Sequence, residues 1–138
     1  MIGVIDASLA ISWMFEDEQT IQGMQLLKQV AQAGALVPSL WRLETANALQ
    51  MAVRRRRCDS VFRDSVLYRL ELLMIEVDPE TDTHAWSTTL RLSDRYRLTV
   101  YDAAYLELAL RRGLPLASRD RGLVSAARES GVTILPSD

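Results

Sequence analysis

Short apolar runs alternate with longer amphipathic stretches along the whole chain, and this alternation predicts the architecture. Residues 2–5 read Ile-Gly-Val-Ile and end at Asp6, the pattern of a short buried strand. An apolar stretch from Leu9 to Phe15 follows, with Ser8 placed to cap it. An acidic break at 16–18 separates it from a helical pattern over 19–33, which Gly34 stops. Leu36 and Val37 make a second strand closed by Pro38, and Ser39 opens a long helix reaching Arg57. Beyond it the pattern fits a helix over 60–73, a strand over 75–77, and helices over 80–97 and 101–112. A strand over 114–117, a short helix over 121–129 and a last strand over 132–135 complete the chain. Short apolar strands separated by helices are covered on both faces. The fold class is therefore α/β, a central, mainly parallel sheet flanked by helices on both sides. Ligands in such sheets sit beyond the carboxyl ends of strands. Asp6 follows the first strand, Asp120 follows the 114–117 strand by a short turn, and Asp102 opens a helix.

Composition narrows the function classes. A chain of 138 residues, 49% hydrophobic and 25% charged, with no repeat or low-complexity tract, reads as a single domain over 1–138. Cys58 and His84 are the only residues of their kinds, which excludes an internal disulfide, a thiolate zinc cluster and a His-rich metal site. The lone cysteine suits a reducing cytoplasm. No secretion-type leader or membrane-length apolar run is present, so a cytoplasmic location without membrane contact is expected. The net charge of −2 rules out a polycation, and the basic residues are fifteen arginines and Lys28. Phosphate binding must then be local, through arginine clusters or a metal.

The acids carry more information. On the helix opened by Ser39, Leu40, Leu43, Glu44, Asn47 and Met51 fall within about 100° of one another, which predicts a buried stripe holding one carboxylate. Burying that carboxylate alone is costly, so a partner for Glu44 is required. On the 101–112 helix, Asp102 shares a face with Tyr105, Leu106 and Ala109, whereas Glu107 and Arg111 read as a solvent-facing i,i+4 pair. Asp6, Glu44, Asp102 and Asp120 converging on one spot would repel one another unless cations held them ionised. Mg²⁺ suits such an oxygen-only set. Two such ions roughly 4 Å apart activate a water and stabilise the leaving oxygen in phosphodiester hydrolysis.

Four segments in order carry a family resemblance: Asp6-Ala7-Ser8, Glu44-x-x-Asn47-x-Leu49, Tyr101-Asp102-Ala103-Ala104-Tyr105-Leu106 and Ser118-x-Asp120-x-x-Leu123. Over essentially its whole length the chain resembles the PIN-domain ribonucleases, in particular VapC-type toxins of toxin–antitoxin pairs. The resemblance implies Mg²⁺- or Mn²⁺-dependent endonucleolytic cleavage of RNA, such as tRNA, leaving a 3′-hydroxyl and a 5′-phosphate. It further implies Asp6, Glu44, Asp102 and Asp120 as the catalytic and metal-binding acids, with Ser8, Asn47 and Ser118 supporting them. Ser118 stands where the family often has threonine and keeps the hydroxyl. The implied partners are a VapB-like antitoxin and a second copy of the chain in a homodimer.

Each residue also has a plainer reading. Asp6 and Asp120 suit helix caps, and Thr99 with Asp102 fits a capping box. Glu44 fits neither a cap nor a solvent position, which leaves a buried pair with an arginine as its alternative. Arg54 to Arg57 complement a helix C-terminus by default; the sharper reading makes Arg55 and Arg56 RNA-phosphate contacts. Arg119 and Arg121, flanking Asp120, either touch substrate phosphate or balance the acids. Trp13, Met14 and Phe15 read as core, or else as a groove for a partner helix. Cys58 and His84 lack any surrounding motif and are expected to be dispensable for activity. A receiver domain would need a lysine near the end and an aspartyl phosphatase a second aspartate at position 8, and both are missing. The competing class is a non-catalytic PIN-fold module that binds RNA or protein.

Overall fold

A computed structural model describes residues 1–137. The elements in chain order are β1 (Val4–Ile5), α1 (Ala7–Ser12), a 3-10 turn (Glu16–Glu18), α2 (Ile21–Ala33), β2 (Ala35–Val37), α3 (Trp41–Arg54) and α4 (Ser60–Leu72). They continue with β3 (Ile75–Val77), α5 (Thr81–Ala85), α6 (Thr88–Tyr96), α7 (Val100–Arg112), β4 (Leu116–Ala117) and α8 (Arg121–Glu129). The four strands form one parallel sheet in the order β3-β2-β1-β4. Consecutive residues of β1, β2 and β4 are all buried, and neighbours in a strand point to opposite faces, so both faces of the sheet are covered. The α/β expectation holds.

Strand order positions the site. The chain steps outward from β1 to β2 to β3, then returns to place β4 on the other side of β1. The direction of winding thus reverses between β1 and β4, which opens a crevice at their carboxyl ends. Asp6 follows β1 there, and Ser118 and Asp120 follow β4. The turn into β2 depends on Gly34, whose φ is +78° and where a Cβ would lie 2.6 Å from the Met74 carbonyl.

Several local expectations are corrected. Asp6, not Ser8, caps α1, because its side chain accepts from Leu9 N while Ser8 points to solvent. The 80–97 stretch is two helices broken at Trp86 and Ser87. The expected last strand shrinks to a single parallel bridge between Leu116 and Ile134. The long helix ends at Arg54, not Arg57, and its buried face is Trp41, Thr45 and Leu49. Leu43, expected inside, is 77% exposed. Trp13, Met14 and Phe15 belong to the core, which removes the partner-groove reading for them.

The largest correction concerns α7. Every residue from 103 to 109 is buried, so this helix has no broad solvent face. Glu107 is 4% exposed, and with Arg111 and Asp78 it forms a buried ion network rather than a surface pair. Arg111 donates to both oxygens of Asp78 at 3.2 and 2.6 Å and to both of Glu107 at 2.8 and 3.1 Å. The network ties the end of β3 to the last turn of α7. No helix among the described residues is long and apolar enough to cross a membrane.

Candidate active site

Asp6 is held from two directions. One carboxylate oxygen accepts from Leu9 N at 2.9 Å, the other from the Ser118 hydroxyl. Ser118 Oγ in turn accepts from Asp120 N at 3.0 Å, so one serine fastens the ends of β1 and β4 together. Asp120 caps α8 through Leu123 N at 2.9 Å and remains exposed. Asp102 sits in the first turn of α7, where Thr99 accepts from its N–H at 3.1 Å. The cap readings of Asp6 and Asp120 and the capping role of Thr99 are therefore all correct. They do not compete with a ligand role, because a carboxylate has about four lone-pair sites and the caps occupy few of them.

Glu44 comes from α3, and its partner is not an arginine. The Tyr105 hydroxyl donates to Glu44 Oε1 at 2.5 Å. Sequence reasoning saw Tyr105 on the Asp102 face but assigned it no role. The available signal was its placement one helical turn after Asp102 combined with the unmet need of Glu44.

Repulsion links the acids pairwise, with Asp102 raising both Asp6 and Glu44 and Asp120 raising both Asp6 and Asp102. The Asp6 carboxyl is pushed up to about 6, first by burial, then by Asp102 and Asp120, against the hydrogen bonds from Ser118 and Leu9. Burial raises Asp102, and Asp120 raises it further against the Thr99 bond. Burial also raises Glu44, with Asp102 adding to the effect and Tyr105 opposing it. Asp102 is thus the common neighbour of the other three. Tyr105 is itself pushed far above the ordinary phenol range, by burial and by the Glu44 carboxylate, so its proton stays on the phenol oxygen as a fixed donor.

These residues fit a hard divalent cation by the chemistry of the donor set. The cluster is oxygen-only and carries negative charge that no arginine neutralises through an ion pair among the described residues. No three His, Cys, Asp or Glu side chains among the described residues are drawn together tightly enough to enclose an ion by themselves. Mg²⁺ requires no such cage, since it binds through one or two carboxylates together with waters and substrate phosphate.

The remaining candidates separate. Of the three supporting residues, Ser118 alone bonds the acids, whereas Ser8 and Asn47 are exposed and make no side-chain hydrogen bond among the described residues. Arg55 and Arg56 follow the end of α3, which lies about 15 Å along its axis from Glu44. Arg57 is taken up by Asp17 and Glu18, at 2.8 and 2.7 Å, and covers the Phe15 ring. Arg119 donates to the Glu18 carbonyl at 2.8 Å. Cys58, between α3 and α4, and His84, on α5, bond none of the four acids.

Replacing Tyr105 by Phe will leave Glu44 half-buried without its donor. A hydrogen bond to a charged group contributes about 1.5–3 kcal/mol, so the variant will lose stability of that order at neutral pH, read by urea unfolding. It will also require about 10–100-fold more divalent metal for any metal-dependent activity. An unchanged metal requirement would show that Tyr105 serves packing alone.

Comparison with known proteins agrees with the fold. The family model described as PIN domain matches residues 3–129. Among solved structures, the chain is similar to PAE2754 from Pyrobaculum aerophilum, at 25% identity and a TM-score of 0.65, over 96% of this chain and 82% of that one. It is similar in fold to FitAcB from Neisseria gonorrhoeae, at 13% identity and a TM-score of 0.68, over 97% of this chain and 96% of that one. It is also similar in fold to VapBC2 from Rickettsia felis bound to a DNA fragment from their promoter, at 11% identity and a TM-score of 0.64, over 97% of each chain. No curated protein matches.

Proposed function

This chain belongs to the PIN-domain family, whose members are generally nucleases, and from that membership we propose that it is a divalent-metal-dependent endoribonuclease acting as the toxin of a toxin–antitoxin pair. The observation that carries the reading is the set of four mutually repelling carboxylates at the crevice between β1 and β4. A bound cation would offset the electrostatic cost of keeping such a cluster ionised.

Asp6, Glu44, Asp102 and Asp120 would hold Mg²⁺ or Mn²⁺. The chemistry such a cation supplies when bound is acidification of the attacking water and neutralisation of charge on the phosphate and its leaving oxygen. The chain's own residues orient the site. Ser118 and Leu9 N fix both oxygens of Asp6, so that carboxylate keeps one direction. Tyr105 fixes Glu44 by donating to Oε1. Thr99 caps the first turn of α7, which carries Asp102. The site holds no imidazole, thiol or lysine bonded to the acids among the described residues, so the carboxylates are its proton acceptors.

The partners follow from the same reading: an RNA substrate such as tRNA, a VapB-like antitoxin, and a second copy of the chain. The antitoxin assignment draws support from the likeness to the FitAcB and VapBC2 structures.

The test is cleavage of total tRNA and other small RNAs by the wild-type and Asp102→Asn proteins, with Mg²⁺ or Mn²⁺ and with a chelator. Discrete cuts made by the wild type, and lost with both the chelator and the substitution, are expected. A folded wild-type protein that neither binds metal nor cleaves would instead be a non-catalytic binding module.

A further inference from the structure

A cavity of about 370 Å³ is lined by Ser118, Arg119, Arg121 and Arg128 together with Gln22 and Ser137, with an apolar wall from α8 and the chain that follows it. Arg121 and Arg128 are seven residues apart on α8, so they stand on one face of the helix, about 10 Å apart along its axis. Neither they nor Arg119 makes an ion pair among the described residues, although Asp120 lies between two of them in sequence. Arg119 and Arg121 thus do not balance the acids through a direct ion pair among the described residues. Arg119 spends one nitrogen on the Glu18 carbonyl and leaves Nε buried with no partner, a donor that is costly to leave empty. Three arginines lining one cavity without a carboxylate partner, one of them with an unmet buried donor, form a site for an oxyanion.

We propose that this arginine cavity is a phosphate site that holds an RNA backbone phosphate next to the scissile one, with Ser118 as the wall shared by the two sites. The inference rests on the ribonuclease reading above and adds a division of labour. The acidic crevice repels RNA until a cation arrives, while the arginine cavity attracts it with or without metal. Arg121 and Arg128 are then positioning residues, and RNA binding precedes and survives metal removal.

The experiment follows fluorescence anisotropy of a labelled single-stranded RNA oligonucleotide with the full chain in chelator, comparing wild type with Arg121→Gln/Arg128→Gln. Both side chains are exposed, so the double variant will keep its unfolding temperature. Its RNA affinity will fall about tenfold or more. The slope of log affinity against log salt will flatten by about 0.7, the change expected for one single-strand phosphate that no longer meets its arginines. Unchanged affinity and slope, in a protein whose parent cleaves RNA with Mg²⁺, would overturn the inference and leave the nuclease reading intact. Unchanged RNA affinity with abolished binding of an oligoglutamate peptide would overturn it in favour of an acidic protein segment. A parent that neither binds nor cleaves RNA would overturn both readings.

Discussion

The Asp6→Asn protein will cut RNA at least about 10²–10³-fold more slowly than the wild type and yet, free of divalent metal at neutral pH, will be the more stable of the two. The sign follows from the raised proton affinity of Asp6. With its carboxyl at about 6 in the folded protein against an ordinary value of 3.8, the folded state binds a proton more readily than the unfolded chain does. The stability this confers is fully present below about pH 4 and is lost as the pH rises through 6. Above that point the ionised carboxylate costs the fold about 3 kcal/mol, at about 1.4 kcal/mol per pH unit of difference. Asparagine removes the charge and still caps α1, because its amide oxygen accepts from Leu9 N. The Ser118 hydroxyl then loses its acceptor, which offsets about 1 kcal/mol, leaving a net gain of about 2 kcal/mol. Urea unfolding at pH 7.5 and at pH 4.5 checks the claim, since the gap between the proteins must narrow at the lower pH. Added Mg²⁺ will stabilise the wild type and not the variant. A variant less stable than the wild type at pH 7.5 would mean that Asp6 is retained for the fold and not for catalysis.

Arg111→Met will destabilise the protein by about 3–5 kcal/mol while leaving catalytic competence at low temperature, the opposite pattern. Arg111 is the cation between two buried carboxylates, Asp78 and Glu107, and removing it strands both. Burial by itself would raise Asp78, but the hydrogen bonds from Arg111 and Thr81 outweigh it and hold the group below its ordinary value. A depressed acid adds stability that is present above its unfolded value near 4 and is lost as the pH falls through its folded value. In the variant buried Asp78 will instead favour protonation, so the deficit will be greatest at neutral pH and will shrink toward pH 4.5. Denaturant unfolding at both pH values reads this directly. Arg111 lies about 13 Å along α7 from Asp102, so an equal loss of activity in the folded variant would show that the network also sets the site.

The contrast between these two residues marks the border between local and global information. The class of fold, the order of its elements and the four acids are legible along the chain, because each rests on short-range chemistry. Apolar runs of strand length, glycine stops after helices and cap-forming residues are decided within a few positions. Gly34 ends α2 because only a residue at ease with positive φ fits there, and the neighbouring Met74 carbonyl leaves no room for a Cβ. Asp6 and Asp120 read as caps and are caps, since a cap is a contact across three residues.

What sits on the other side of a helix is not local. The stripe expected on α3 puts Leu43 in the core, but α3 packs against α1 and α4, and the face it buries is Trp41, Thr45 and Leu49. On α7 the wheel separates an inner face from an outer one, and that division fails where neighbours surround the helix from residue 103 to 109. Glu107 and Arg111 keep the i,i+4 spacing of a surface pair; only the packing of α5 against α7, with Asp78 from the end of β3 reaching Arg111, turns them into a buried network. The same holds at the site. The chain identifies Glu44 as a carboxylate in need of a partner, and it supplies Tyr105 only after folding, across 61 residues. Secondary structure and candidate chemistry thus come from spacings that the backbone geometry repeats. Which charges meet, and which are left to a ligand, depends on which elements pack together, and strand order alone brings the ends of β1 and β4 side by side.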